Sequence, residues 1–275
     1  MNSETEASKP TAITLLSLNI WNINPPFESR MSELVRFLRH ATPHIVALQE
    51  VSRTSDGERQ SRMIANEAGY DLEDYVRSGD WDGREEGLAV LTRVPSSKSD
   101  PITLPLASDN MPRVAQVVRA DVGGTIGPVD VVNTHFSFPQ MDTPGRLAQA
   151  TTLIQKIRSH YFQHGRPIIL CGDLNDDPKS APVQRLFGDP QFRLRDAWDV
   201  NPSKQGLTYA SSNEWARPEL GLDRRIDYVA VSETLTVDWC TLTLTGKDGW
   251  EPVSDHYGVL VQISPHTRGE KANER

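Results

Sequence analysis

Short apolar runs recur along this chain, and one after another ends abruptly on a polar side chain. Residues 13–20 (ITLLSLNI), 44–51 (HIVALQEV), 87–94 (GLAVLTRV), 127–138 (GPVDVVNTHFSF), 168–172 (IILCG), 226–231 (IDYVAV) and 257–263 (YGVLVQI) read as strands. DLEDYV, RVAQVVRAD and TVDWCTLTL add to the strand-rich stretches. Segments of helical spacing lie between them. MSELVRFLRHA follows Ser29 as its expected cap, GERQSRMIANEAGY is helix-like, and RLAQATTLIQKIRSHY follows Thr143 as cap with Pro144 at the first helical position. No repeat or low-complexity linker divides the 275 residues. The pattern predicts one domain at 12–263, with mixed sheets covered by helices, and solvated polar tails at 1–11 and 264–275.

The strand tips carry the chemistry. Asn19 stands in LSLNIW, Glu50 in ALQEV, His135 in VVNTHFS, and Asp173 and Asn175 in RPIILCGDLNDDPKS. Each alone has an ordinary reading: Asn19 caps a turn, Glu50 is a surface carboxylate, His135 is a core imidazole. Their repetition at strand ends points instead to convergence on one site. Asp173 and Asn175 are two apart, so on an extended backbone they leave from the same face. A carboxylate accepts hydrogen bonds or binds a cation, and an amide donates without adding negative charge, a pairing suited to an anionic substrate. Asp176, Asp177 and Pro178 read as the turn that follows.

Composition narrows the partners. A formal net charge of −8, with only short basic clusters at Arg193/Arg195 and Arg217/Arg224/Arg225, disfavours long duplex nucleic acid. A small phosphorylated substrate needs less. No apolar run reaches the roughly 20 residues of a membrane-spanning helix, and the N-terminus is polar and acidic, so a cytoplasmic monomer is expected. Cys171 and Cys240 both sit in apolar segments and are expected as buried reduced thiols.

Taken in order, LSLNIW, ALQEV, EGLAVLTR, VNTHFS, CGDLND, RRIDYV and VSDHYGV resemble the endonuclease/exonuclease/phosphatase superfamily, over residues 12 to 263. The resemblance implies an α/β fold, a four-layer α/β/β/α sandwich with two packed mixed sheets and a site where both sheets end. It implies a metal-dependent hydrolase of phosphate esters. Glu50 and Asp255, with Asn19 nearby, are hard oxygen donors suited to Mg²⁺, with Mn²⁺ as substitute. In SDH, Asp255 reaches the metal while His256 faces the phosphate. Asp227 resembles the carboxylate that orients His256; the alternative is that it pairs with Arg224 or Arg225 at the surface. His135 resembles a second phosphate-facing position, and Glu86 the carboxylate that backs it in the deoxyribonuclease branch. Asn175 is expected on the scissile phosphate. Either Asp173 or His256 activates the attacking water.

The expected reaction is in-line hydrolysis without a covalent enzyme intermediate, of a phosphodiester before a monoester. Open alternatives are a nuclease of DNA or RNA ends, a sphingomyelinase-like lipid phosphodiesterase and a phosphomonoesterase. Trp21, Trp81, Trp215 and Trp250 either stack on a base or lipid, or plug the rim and core. A dinuclear metallophosphatase would need a histidine-rich GNH[DE]-like motif that this chain lacks. A catalytically silent scaffold would have lost residues that are all present.

Overall fold

The computed structural model describes residues 12–81, 83–160 and 165–266. The expected tail at 1–11, and the part of the expected C-terminal tail beyond 266, lie outside the described residues.

Two sheets pack face to face. The first has the order β12-β13-β1-β2-β4-β3, formed by β1 (Ile13–Asn19), β2 (Ile45–Val51), β3 (Leu72–Trp81), β4 (Arg84–Thr92), β12 (Leu235–Thr243) and β13 (Gly258–Pro265). The second has the order β10-β11-β9-β8-β7-β5, formed by β5 (Ser96–Lys98), β7 (Arg113–Asp121), β8 (Pro128–His135), β9 (Ile168–Asp173), β10 (Arg195–Asp196) and β11 (Asp227–Val231). The short β6 (Ile102–Leu104) also pairs with β7. Each sheet is mixed: β1 with β2 and β8 with β9 are parallel, and the other pairs are antiparallel.

Helices α1 (Phe27–Ala41) and α2 (Gln60–Ala68) cover the first sheet, and α3 (Thr143–His160) and α4 (Ala181–Phe187) cover the second. The architecture is therefore the four-layer α/β/β/α sandwich. Layering explains why the central strands are apolar throughout. In β1, Ile13 and Leu15 face the other sheet while Leu16 and Leu18 face the helices; in β9, Ile169 and Cys171 face inward and Ile168 and Leu170 outward. Both faces are buried, so the period-2 alternation disappears. Burying each such aliphatic side chain contributes roughly 1.5–3 kcal/mol.

The inward face changes character along its length. Valine and isoleucine at one end give way to Ser17 and Asn19 on β1, Gln49 on β2, Asn133 and His135 on β8, Asp173 on β9 and Asp227 on β11. Gln49 Nε2 donates to Asn133 Oδ1 at 2.7 Å, and Asn133 Nδ2 donates to Leu48 O and Ala89 O, a polar tie between the sheets where the dry core stops.

Several element boundaries differ from expectation. Ser29 does not cap α1: the helix starts at Phe27, and Ser29 sits in its first turn with Oγ donating to Pro26 O. Thr143 does not cap α3 either. Asp142 does so, its Oδ1 accepting from Gly145 N at 3.3 Å, because its carboxylate is a stronger acceptor and is held in place by Ser137 Oγ and Ser108 N. The helix expected over 57–70 contracts to Gln60–Ala68, closed by Gly69 at φ 72°. The last strand runs on to Pro265, which pairs with Leu235. Both cysteines are buried and free. Among the described residues, no helix is long and apolar enough to cross a membrane.

Candidate active site

Where the inward faces turn polar, a cleft of about 580 Å³ opens. Of the residues expected from sequence, Glu50, Glu86, His135, Asp173, Asn175, Asp255 and His256 line it. Asn19 and Asp227 stand behind that lining, both buried.

Asp173 occupies the centre. It ends β9 opposite His135 in the parallel β8 register, and opposite Asp227 in β11. Its placement depends on Gly172, whose φ is +134° and whose missing Cβ would fall 1.9 Å from Thr134 O. Only glycine lets the two strands approach here. Asp173 Oδ1 accepts from Asn175 N at 2.9 Å, and Oδ2 accepts from Asn19 Nδ2 at 3.1 Å. Oδ2 also lies 3.6 Å from His135 Nε2 and 3.7 Å from His256 Nε2. The two imidazoles thus flank one carboxylate oxygen without either closing a hydrogen bond on it.

His256 Nδ1 donates to Asp227 Oδ2 at 2.8 Å. Burial works to lower the pKa of His256, but Asp227, Asp173 and Asp255 together hold it well above the ordinary histidine value. The surface-pair alternative for Asp227 fails, since Arg224 reaches Asp177 at 3.4 Å and Arg225 reaches Asp196 at 2.6 Å. Tyr209 stands edge-on to the His256 ring, with centroids 5.0 Å apart.

His135 is differently furnished. Its Nδ1 lies 2.9 Å from Arg113 Nη1, and Glu86 Oε1 stands 3.8 Å away, beyond hydrogen-bond reach. Arg113 is buried and also bound to Asp109 Oδ2 at 2.8 Å, with Glu86 Oε1 at 3.5 Å. Glu86 therefore backs Arg113, and Arg113 backs the histidine. Burial first, then Arg113 and His256, hold the pKa of His135 well below the ordinary value.

On the other side Glu50 stands in left-handed backbone, φ 54°, where the pairing of β2 with β4 shifts register. Without this bulge its position in the alternation would face the helices. Asn19 Nδ2 donates to Glu50 Oε1 at 2.9 Å, while its own Oδ1 accepts from Trp21 N at 3.0 Å. Beneath them Arg30 is almost fully buried, and donates to Ile20 O, Asn22 O and Val253 O, tying the loop after β1 to the segment leading to Asp255.

The donor set fits a hard divalent cation. Burial, then repulsion by Asp227, pushes the Asp173 carboxyl up to about 7; burial and the nearby Glu50 push Asp255 up to about 7 and Glu86 up to about 8. Such crowding is relieved by added positive charge. Asp173, Asp227 and His256 also bring one potential ligand atom each within 4.8 Å of the others. His256 and Asp227 are already joined to each other by a hydrogen bond, whereas Glu50 and Asp255 each accept a side-chain hydrogen bond on one oxygen, from Asn19 Nδ2 and Ser254 Oγ, and are the hard oxygen donors beside them.

Sequence reasoning missed Arg113, Arg30 and Tyr209. Arg113 in MPRVAQVV carries the clearest signal, a buried cation opening the strand RVAQVVRAD. Of the tryptophans, Trp21 and Trp81 line the cleft, and Trp215 stacks on Trp21 with centroids 6.0 Å apart. Trp250 packs edge-on against Phe37 away from the cleft and plugs the helix layer.

The sequence model described as the Endonuclease/Exonuclease/phosphatase family matches residues 16–256. The inositol phosphosphingolipids phospholipase C of Saccharomyces cerevisiae is 29% identical over 180 residues, 59% of this chain; the match spans only 35% of the length of that relative. An endonuclease/exonuclease/phosphatase family protein from Leptotrichia buccalis superposes with a TM-score of 0.74 at 19% identity, covering 92% of this chain and 99% of that one. Truncated TDP2 of Caenorhabditis elegans gives 0.71 at 21%, covering 92% and 98%.

Proposed function

The chain belongs to the endonuclease/exonuclease/phosphatase family, and on that premise we propose that it is a metal-dependent phosphodiesterase acting by in-line attack of an activated water. The observation that carries this reading is the placement of Asp173 Oδ2 between two imidazole nitrogens, at 3.6 and 3.7 Å. That gap presents a proton acceptor and two imidazole groups to one tetrahedral anion.

The geometry supports the following roles. His256, oriented by Asp227, directs Nε2 into the cleft and is the general acid or base with Asp173, whose Oδ2 accepts the proton of the attacking water. Asn175 gives one amide hydrogen to Phe136 O at 3.0 Å and keeps the other for a phosphoryl oxygen. Glu50 and Asp255 would hold Mg²⁺ or Mn²⁺, with Asn19 bridging Glu50 to Asp173. When bound, the metal supplies Lewis-acid polarisation of the phosphoryl group and charge neutralisation of the leaving oxygen. Among the described residues the cleft lining includes no serine or cysteine, which supports direct attack by water.

For the substrate, a small, single-stranded or lipid-linked phosphodiester fits better than long duplex. The net charge of −8 disfavours an extended counterion-releasing face, although Arg84, Arg217 and Arg224 stand at the cleft for a small anion, and the aromatic side chains Trp21, Trp81 and Phe138 line it. The relative named as a phospholipase C supports a diester. The test is a panel of a chromogenic phosphomonoester, its diester counterpart, an inositol phosphosphingolipid in micelles, a short single-stranded oligonucleotide and duplex DNA. Each is measured with Mg²⁺, with Mn²⁺ and in excess chelator. Diester hydrolysis that requires a divalent cation is expected. Full activity in chelator, a trapped phospho-enzyme, or preference for the monoester refutes the reading.

A further inference from the structure

The two cleft histidines are held by partners of opposite kind. His256 Nδ1 faces a carboxylate, which can only accept; His135 Nδ1 faces a guanidinium, which can only donate. An imidazole nitrogen that receives a hydrogen bond carries no proton. We infer that Arg113 is a positioning residue that fixes His135 as the neutral tautomer protonated on Nε2, so that this ring presents a fixed N–H donor to the substrate phosphate.

The hydrogen-bonding distances around the ring favour this assignment. From β7, Arg113 Nη1 approaches Nδ1 at 2.9 Å, and a proton on Nδ1 would set two donors against each other. From β4, Glu86 Oε1 stands 3.8 Å from Nδ1, beyond hydrogen-bond reach, and so does not displace Arg113 as the partner of that nitrogen. From β9, Asp173 Oδ2 faces Nε2 at 3.6 Å, which favours the hydrogen there. From the segment before β13, His256 adds positive charge and disfavours a doubly protonated His135. Arg113 cannot swing away, because Asp109 Oδ2 takes both its Nε, at 3.1 Å, and its Nη2, at 2.8 Å. The planar guanidinium therefore has its remaining nitrogen aimed at the histidine by a buried acidic residue four positions earlier. The substrate would meet two unlike imidazoles, of which only His256 is wired for proton exchange.

The role toward phosphate rests on the phosphodiesterase reading; the tautomer does not, and it is measured without turnover. Histidine ¹⁵N spectra of the wild-type protein at neutral pH, with His135 identified by His135→Asn, are expected to show an unprotonated Nδ1 and a protonated Nε2. Arg113→Lys, which keeps a donor, retains that pattern, while Arg113→Met shifts it toward a tautomer mixture. In hydrolysis assays Arg113→Met loses about 10²-fold in kcat with little change in KM, and Lys restores part of it. Protonated Nδ1 in the wild-type spectrum overturns the inference whatever the enzyme hydrolyses. Spectra as expected with no phosphodiester hydrolysis would leave the tautomer standing and remove the phosphodiesterase reading instead. Should Arg113→Met fail to fold, the wild-type and Lys spectra decide.

Discussion

Gly172→Ala is the sharpest perturbation this fold offers, because a single methyl group would strike a backbone atom at the centre of the site. The added Cβ would lie 1.9 Å from Thr134 O and 2.9 Å from Thr134 C, and neither atom can rotate away. The φ of +134° is itself a region that residues with side chains rarely enter. Strain of that kind costs about 1–3 kcal/mol, and forcing packed strands apart costs about another 1–3 kcal/mol. The sum centres near 4 kcal/mol, which for a domain of this size is a fall of roughly 10 °C in Tm. Because Thr134 pairs with Gly172 and His135 with Asp173, relieving the clash also widens the gap at the Asp173 carboxylate. Activity should therefore drop at temperatures where the variant is still folded. Gly57→Ala is the control: its φ is +87° but its Cβ would meet nothing within 4 Å, so only the backbone term applies. Thermal melts followed by circular dichroism, with hydrolysis rates at 20 °C, decide the matter. If Gly172→Ala melts no lower than Gly57→Ala, the close approach of β8 and β9 is not what that glycine serves.

Asp227→Asn should leave the fold nearly intact and cut hydrolysis by about 10²–10⁴-fold, and a double variant with His256→Asn should lose little more than the worse single one. Rates that fall additively would dissolve the dyad. Glu50→Gln should weaken the metal first, so titrating Mg²⁺ upward should recover much of its activity; an unchanged metal dependence would make Glu50 structural. Trp21→Ala should raise KM for the best diester with a small change in Tm, whereas Trp250→Ala should lower Tm by several degrees, from roughly 3–5 kcal/mol of lost packing, and leave KM alone. Binding and melting assays that exchange these two outcomes would contradict their placement.

Mixed sheets covered by helices were legible because central strands such as ITLLSLNI and IILCG are apolar on both faces, while the pairing of two sheets in four layers came with the family resemblance. The site was legible for a related reason: polar residues at the ends of such strands have no ordinary place to go. Asn19, His135, Asp173 and Asp227 are simply the next inward positions in their own alternation. Glu50 is not, and only the bulge explains why a residue of outward parity reaches the cleft. What stayed hidden depended on contacts between distant segments. Arg113 is one arginine among many until Asp109, Glu86 and His135 are seen around it. The cap of α3 went to Asp142 because Ser137 and Ser108 hold it there, which no local propensity encodes. The Asn19 amide that bridges Glu50 and Asp173 was hidden in the same way, since it joins three distant segments.

β13 lies between β12 and β1, so the first strand of the domain stays unpaired along one side until the last strand has been made. Asp255 and His256 immediately precede that closing strand. A chain emerging from the ribosome would thus carry nearly the whole scaffold, with an open hydrogen-bonding edge, before Asp255 and His256 could join the cleft. Closure by such sequence-distant pairing is intrinsically slow. The same arrangement makes the final segment a natural place to divide the protein. A fragment ending after β12, supplied with a peptide spanning Val253 to Pro265, would regain a strand and both missing site residues in one binding event, and enzyme turnover would report the docking of that peptide.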